Sequence, residues 1–249
     1  MVSEARPEPP EASSKITPDL IVGNIGELLV CPPTPGAGLG LIPNGVVAVL
    51  DGVVAWVGPA SAASEALAVG PTTRMLNAEG RVVMPGLVEC HTHLAFAGSR
   101  AHEFQARVAG WSYAEIAAGG GGIMSTVRMT RSVSRQQLML VAHQRLNAML
   151  DYGITTVEAK SGYGLTTVDE LRLLELYREL NRSHDVDVLA TFMGAHTIPL
   201  EHREDPGAYM DLVVEEMLPQ VAERGLAHYC DVFCEPGFFD LEQSRRVLD

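Results

Sequence analysis

The chain has 249 residues, 47% hydrophobic and 20% charged, enough to bury the core of one large domain or of a large and a small one. A net charge of −13, with no basic stripe to offset it, argues against a nucleic-acid partner. No apolar run reaches the length of a membrane span, and Cys31, Cys90, Cys230 and Cys234 have neither zinc-ribbon nor thioredoxin spacing.

The first fifteen residues are rich in Pro, Glu and Ser and lack an apolar segment suited to a signal peptide. Residues 1–18 are therefore expected to form a disordered tail on a cytoplasmic protein. Residues 19–81 read as a small β-sheet domain. Within it, Val46 to Val57 is two apolar runs around Asp51-Gly52, a strong hairpin signal, and Cys31 to Gly40 is a Pro/Gly-rich loop.

From residue 82 the rhythm changes to strand, loop and helix, repeated. The first strand is expected from Val82 to His91, leading into His91-Thr92-His93. Strand alternation puts both imidazoles on one face, which makes half of a transition-metal site. The bland alternative is a polar strand end that carries two histidines. A long loop follows, holding Arg100, Arg107 and Gly119 to Gly122. The glycine run lacks the Lys-Ser/Thr of a phosphate loop and reads as flexible backbone that approaches a ligand closely. Glu115 reads as the capping partner of Ser112.

Ser134 and Gln137 form a capping box that opens a helix, with Leu138, Val141, Ala142, Leu146, Met149 and Leu150 as its apolar stripe and Gly153 closing it. The next strand is Ile154 to Ala159. Thr167 to Glu170 reads as a second capping box, opening a helix to about Leu180. A third strand, Val186 to Met193, runs toward His196. Asp205-Pro206 starts a helix interrupted by Pro219. The fourth strand is His228 to Glu235, with Cys230 and Cys234 on one side as buried thiols, and a last helix begins at Asp240. Glu158 reads as a strand residue, and the role of Glu235 stays open.

Alternation of this kind implies an α/β fold with parallel strands. Polar residues collect behind the strands, on the face where (β/α)8 barrels build their sites. The reading is a (β/α)8 TIM barrel of which about four units are present, over residues 82–249. An open doubly wound sheet is the alternative, without a nucleotide fingerprint to support it.

Pro85-Gly-Leu-Val-Glu-Cys-His-Thr-His-Leu94 resembles the first barrel strand of the amidohydrolase superfamily. Together with Ala95 to Arg100, Gly119 to Ile123, Thr155 to Gly164, Thr191 to His196 and Cys230 to Glu235, it is similar to the imidazolonepropionase family. The resemblance covers nearly the whole chain from Leu20 onward. It implies hydrolysis of the cyclic amide of 4-imidazolone-5-propanoate to N-formimidoyl-L-glutamate, in histidine degradation. It implies His91 and His93 as ligands of zinc or iron, and Arg100, Tyr163 and His196 as substrate contacts, with His196 also catalytic. Arg100 has the donor fork for a carboxylate, Tyr163 a phenol, and His196 a ring that can polarise a carbonyl or hold an oxyanion. Without the motifs, Arg100 is a solvated loop charge, Tyr163 a packing aromatic and His196 a histidine bonded to backbone. The remaining five histidines read as surface or structural.

The family's third histidine ligand, its carboxylate base and its aspartate ligand belong to later strands, beyond Asp249. Low activity of this polypeptide alone is therefore expected. The partner expected is a small-molecule substrate, with no nucleic acid or membrane, and with a homodimer possible. Two other functions fit the same residues: another cyclic amidohydrolase or deaminase, or a non-catalytic binding homologue.

Overall fold

The computed structural model describes residues 15–36, 38–112, 115–116 and 119–249. It divides into two compact units, one ending at Pro85 and the other running from Gly86 to Asp249.

Among its described residues the first unit carries seven strands. They are β1 (Leu20–Gly23), β2 (Glu27–Leu29), β3 (Leu41–Pro43), β4 (Gly45–Leu50), β5 (Val53–Pro59), β6 (Arg74–Asn77) and β7 (Val82–Val83). One sheet has the order β5-β4-β1-β6 and the other β3-β2-β7. The β4–β5 hairpin turns at Asp51 (φ 53°) and Gly52 (φ 76°), both left-handed, as a two-residue type I′ connection demands. Ile21, Val46, Ala48 and Leu67 form its small core. The tail expectation covers residues 1–18, of which 1–14 lie outside the described ones. Lys15 and Ile16 are held in place: Lys15 Nζ donates to the Ser64 carbonyl at 2.7 Å, and Ile16 N to Ala66 O at 2.9 Å.

The expected strand Val82 to His91 is broken in two. Val82–Val83 pairs with Glu27 and Leu28, whereas β8 (Leu87–Thr92) belongs to the second unit. Met84, Pro85 and Gly86 make the break, because proline lacks the N–H that would continue a ladder.

In the second unit β8, β9 (Ile154–Lys160), β10 (Asp187–Ala195) and β11 (Tyr229–Val232) form a parallel sheet ordered β11-β10-β9-β8. The helix Arg135–Asp151 opens on the expected capping box, both halves of which form between Ser134 and Gln137. It buries Leu138, Ala142 and Leu146. Helix Thr167–Ser183 is the most deeply buried: Leu171, Leu173, Leu174, Leu176, Tyr177 and Leu180 all enter the core, where each leucine contributes roughly 1.5–3 kcal/mol. Its cap sits one residue earlier than the sequence suggested. Thr166 accepts from Asp169 N, which releases Glu170 for another task.

Two helices inside the expected long loop, Ala101–Val108 and Ile123–Ser132, were not anticipated. Past Asp205 the chain forms helix Pro206–Asp211, a π-helical stretch Leu212–Met217 and helix Leu218–Glu223. The widened turns let the helix pass Pro219, whose missing N–H would interrupt an ordinary ladder. Strand β11 ends at Val232, short of the expected Glu235. Alternation therefore fails to carry over to Cys234, which is exposed while Cys230 is half-buried. Strands β8 and β11 each have one sheet neighbour among the described residues, and Val88 on β8 is 65% exposed. No helix among the described residues is long and apolar enough to cross a membrane.

Candidate active site

The parallel register places the ends of β8, β9 and β10 side by side, and the chemistry collects there. His91 is exposed at the end of β8, and His93 is half-buried just beyond it. The pairing of β8 with β9 shifts register between Glu89 and Thr92, so simple alternation does not set these two rings. Their centroids are 6.4 Å apart with planes at 78°.

Three rings meet at the centre. His93 stacks on His196 at 4.6 Å and 9°, and Tyr163 lies 4.5 Å from His93 and 5.4 Å from His196. Both imidazoles are pinned by adjacent carbonyls of one loop. His93 Nδ1 is 2.8 Å from Ser161 O, and His196 Nδ1 is 2.9 Å from Gly162 O. A carbonyl only accepts, so each Nδ1 carries the proton and each Nε2 is left as the lone-pair nitrogen. Burial, then the neighbouring His196, pushes His93 down to about 3, and burial also lowers His196. Both rings are therefore neutral, the form in which imidazole binds a metal or accepts a proton.

Arg100 stands on the rim. It precedes helix Ala101–Val108, half-buried, with Nη1 3.9 Å from Glu103 Oε2. Glu103 is committed elsewhere, accepting from Gly122 N at 2.8 Å and so tying this helix to the glycine run. Arg100 and Tyr163 line one cavity of about 390 Å³ with Phe96, Gly98, Ser99, Thr126 and Arg145.

Several residues of this region were not singled out from sequence. Arg145 lies 3.6 Å from the Phe96 ring centre and donates to Leu94 O at 2.7 Å and Phe96 O at 3.1 Å, fixing the backbone behind His93. Buried Tyr177 donates to Lys160 O at 2.9 Å and accepts from Ala95 N at 3.2 Å. Lys160 is buried and bridges Glu158 (2.7 Å) and Asp231 (2.8 Å), so Glu158 is more than a strand residue. Alternation along β9 puts Glu158 and Lys160 on one face, the signal that could have paired them. Glu115 caps Ser112 as read, accepting from Ser112 N at 2.7 Å. Glu235 sits outside this cluster, in the loop lining a separate cavity with Cys234 and Asp240.

No family model matches the chain. It is 44% identical over 238 residues to an imidazolonepropionase of Alkaliphilus metalliredigens, covering 93% of this chain and 56% of that protein. The corresponding enzyme of Symbiobacterium thermophilum is 47% identical over 237 residues, with the same coverage of 93% and 56%. That of Shewanella frigidimarina is 50% identical over 209 residues, 84% of this chain and 50% of the relative. Among solved structures, a triazine hydrolase variant superimposes with a TM-score of 0.63 at 15% identity, over 92% of this chain and 49% of that one. An atrazine chlorohydrolase from Arthrobacter aurescens TC1, solved with zinc, gives 0.58 at 16% identity with the same coverage of 92% and 49%. The fold is shared with these hydrolases, an α/β chain built on a parallel sheet. By sequence the chain is similar to imidazolonepropionases, at 44–50% identity. It spans about half the length of the curated relatives it matches.

Proposed function

We propose that this chain carries the first part of a metal-dependent active site that opens the cyclic amide of 4-imidazolone-5-propanoate to N-formimidoyl-L-glutamate. The parallel sheet is read as four βα units of an eight-unit barrel, preceded by the small sheet domain. The observation that supports the reading is the cluster of His93, Tyr163 and His196, within 4.5–5.4 Å of one another, whose Tyr163 also lines the cavity that Arg100 lines.

His91 and His93 would hold the ion, zinc or iron. The donor type fits, since His93 presents a neutral ring whose Nε2 has no hydrogen bond among the described residues. Two imidazoles are fewer than the three protein ligands usual for catalytic zinc, and no group of three or more His, Cys, Asp or Glu is placed to hold an ion among the described residues. An ion held there would supply the nucleophile, by making water acidic enough to give hydroxide near neutral pH.

The chain's own residues divide the remaining work. Arg100 grips the propanoate carboxylate through two parallel N–H donors. The Tyr163 phenol orients the ring that enters beside the two imidazoles. His196, with its Nδ1 proton committed to Gly162, offers Nε2 as an acceptor. It therefore suits a substrate N–H or the proton released in hydrolysis, and holds an oxyanion only after gaining a second proton.

Two measurements test the reading. Elemental analysis after zinc supplementation should find the ion on the wild-type chain and lose it in His91→Ala/His93→Ala; equal metal in both refutes the ligand assignment. Arg100→Ala should raise the Kd for 4-imidazolone-5-propanoate at least tenfold and leave the Kd for the imidazolone lacking the side-chain carboxylate unchanged, and an unchanged ratio refutes the carboxylate grip.

A further inference from the structure

Glu170 is a carboxylate with no exposed surface, on the first turn of helix Thr167–Ser183, and forms no salt bridge among the described residues. Burying such a group is costly unless donors surround it. Here the donors come from one loop. Oε1 accepts from Gly164 N and Leu165 N, each at 2.8 Å, and the Gly162 N–H is shared between Oε2 at 2.9 Å and Oε1 at 3.1 Å. Two of those three residues have left-handed backbone, Gly162 at φ 94° and Leu165 at φ 55°. Leucine tolerates that region poorly, so the loop keeps its shape because the carboxylate gathers its N–H groups.

The same peptide unit faces the site. The Ser161–Gly162 peptide gives its N–H to Glu170 and its carbonyl to His93 Nδ1. Hydrogen bonds in series polarise one another, so an acceptor on the N–H side strengthens the carbonyl as an acceptor on the other. Carboxylates commonly orient a ligand histidine by accepting its second N–H directly. Here a peptide stands between the two groups.

We propose that Glu170 is a positioning residue of the active site, acting through the Ser161–Gly162 peptide to fix the ring orientation and Nδ1–H tautomer of His93. The proposal rests on the metal-site reading above for its purpose. The tautomer itself is measurable without metal.

The test uses the full chain with ¹⁵N-labelled histidine, His93 being assigned by its loss in His93→Gln. The wild type should show His93 protonated at Nδ1 and bare at Nε2. Glu170→Gln keeps the shape but turns the nearer of the two oxygens that share the Gly162 N–H into a donor group, leaving that N–H only the longer bond. Because that variant risks misfolding, it is also made with Leu165→Gly, which removes the backbone penalty at the left-handed position. Against the Leu165→Gly single variant, the double variant should fold with similar circular dichroism, show mixed His93 tautomers and bind zinc about 10–100-fold more weakly. An unchanged tautomer in the folded double variant overturns the proposal, and so does failure of that variant to fold, which would make Glu170 a prop of the whole unit. If the wild-type chain takes up no zinc while the tautomer responds as expected, the metal reading fails and the positioning role stands.

Discussion

Replacing Lys160 with Met tests the charge network beneath the site. Lys160 reaches from β9 across β10 to Asp231 on β11 while also holding Glu158 on its own strand, with N–O distances of 2.8 and 2.7 Å. The ammonium side chain is 7% exposed and the Glu158 side chain 13%, whereas the Asp231 side chain is 39% exposed. Removing one member of a buried pair costs about 3–5 kcal/mol, because the other charge is stranded. Asp231 is wet enough for water to replace its partner, so its share falls to about 1 kcal/mol or less. Among the described residues Glu158 retains only a long bond from Thr92 N at 3.4 Å, which does little to offset its loss. The expected loss is about 3 kcal/mol, read as a lower midpoint in urea with an unchanged slope. Glu158→Gln in the same background should restore most of that, since it removes the stranded charge. The reasoning is refuted by a loss below about 1 kcal/mol, or by a double variant no more stable than the single one.

Two further predictions concern the same unit. Leu146→Ala empties a fully buried site on helix Arg135–Asp151 and should cost about 2–5 kcal/mol, measurable by thermal unfolding. A change below 1 kcal/mol would show that the helix is not seated as described. Burial alone would raise Asp231, but the hydrogen bonds from Lys160 and from Val232 N–H, with the Lys160 charge, outweigh it and hold the carboxyl below its ordinary 3.8. A carboxyl lowered in the folded state adds stability that is complete above its ordinary value and is lost as pH falls through the folded one. The acid limb of stability below about pH 4 should therefore flatten in Lys160→Met, and an identical limb in both proteins would remove Asp231 from the account.

What could be read from sequence followed from how local the determinant was. The Asp51-Gly52 turn names its own backbone geometry, and Ser134 with Gln137 names a helix start, so both were legible. Helices Ala101–Val108 and Ile123–Ser132 were missed because they begin at Arg100 and Gly122, neither of which caps with a side chain. Thr167 and Thr166 are both plausible caps on paper, and only the loop's demand for a carboxylate decides that Glu170 is not spent on one. In the site, the identities of His93, Tyr163 and His196 stood out by motif. Their stacking arises from strand order, which no single motif encodes. Lys160 stayed silent for the same reason, its partner Asp231 lying 71 residues away on a strand that is not its neighbour.

The loop from Ser161 to Gly164 hands consecutive carbonyls to two different imidazoles. Any substitution that rotates one of those peptides disturbs both rings together, so neither can be retuned alone. Arg100 hangs on a separate helix whose anchor is the glycine run. New side-chain preferences can thus arise at the arginine end by drift in that run, while the nitrogen-handling end is inherited as a block.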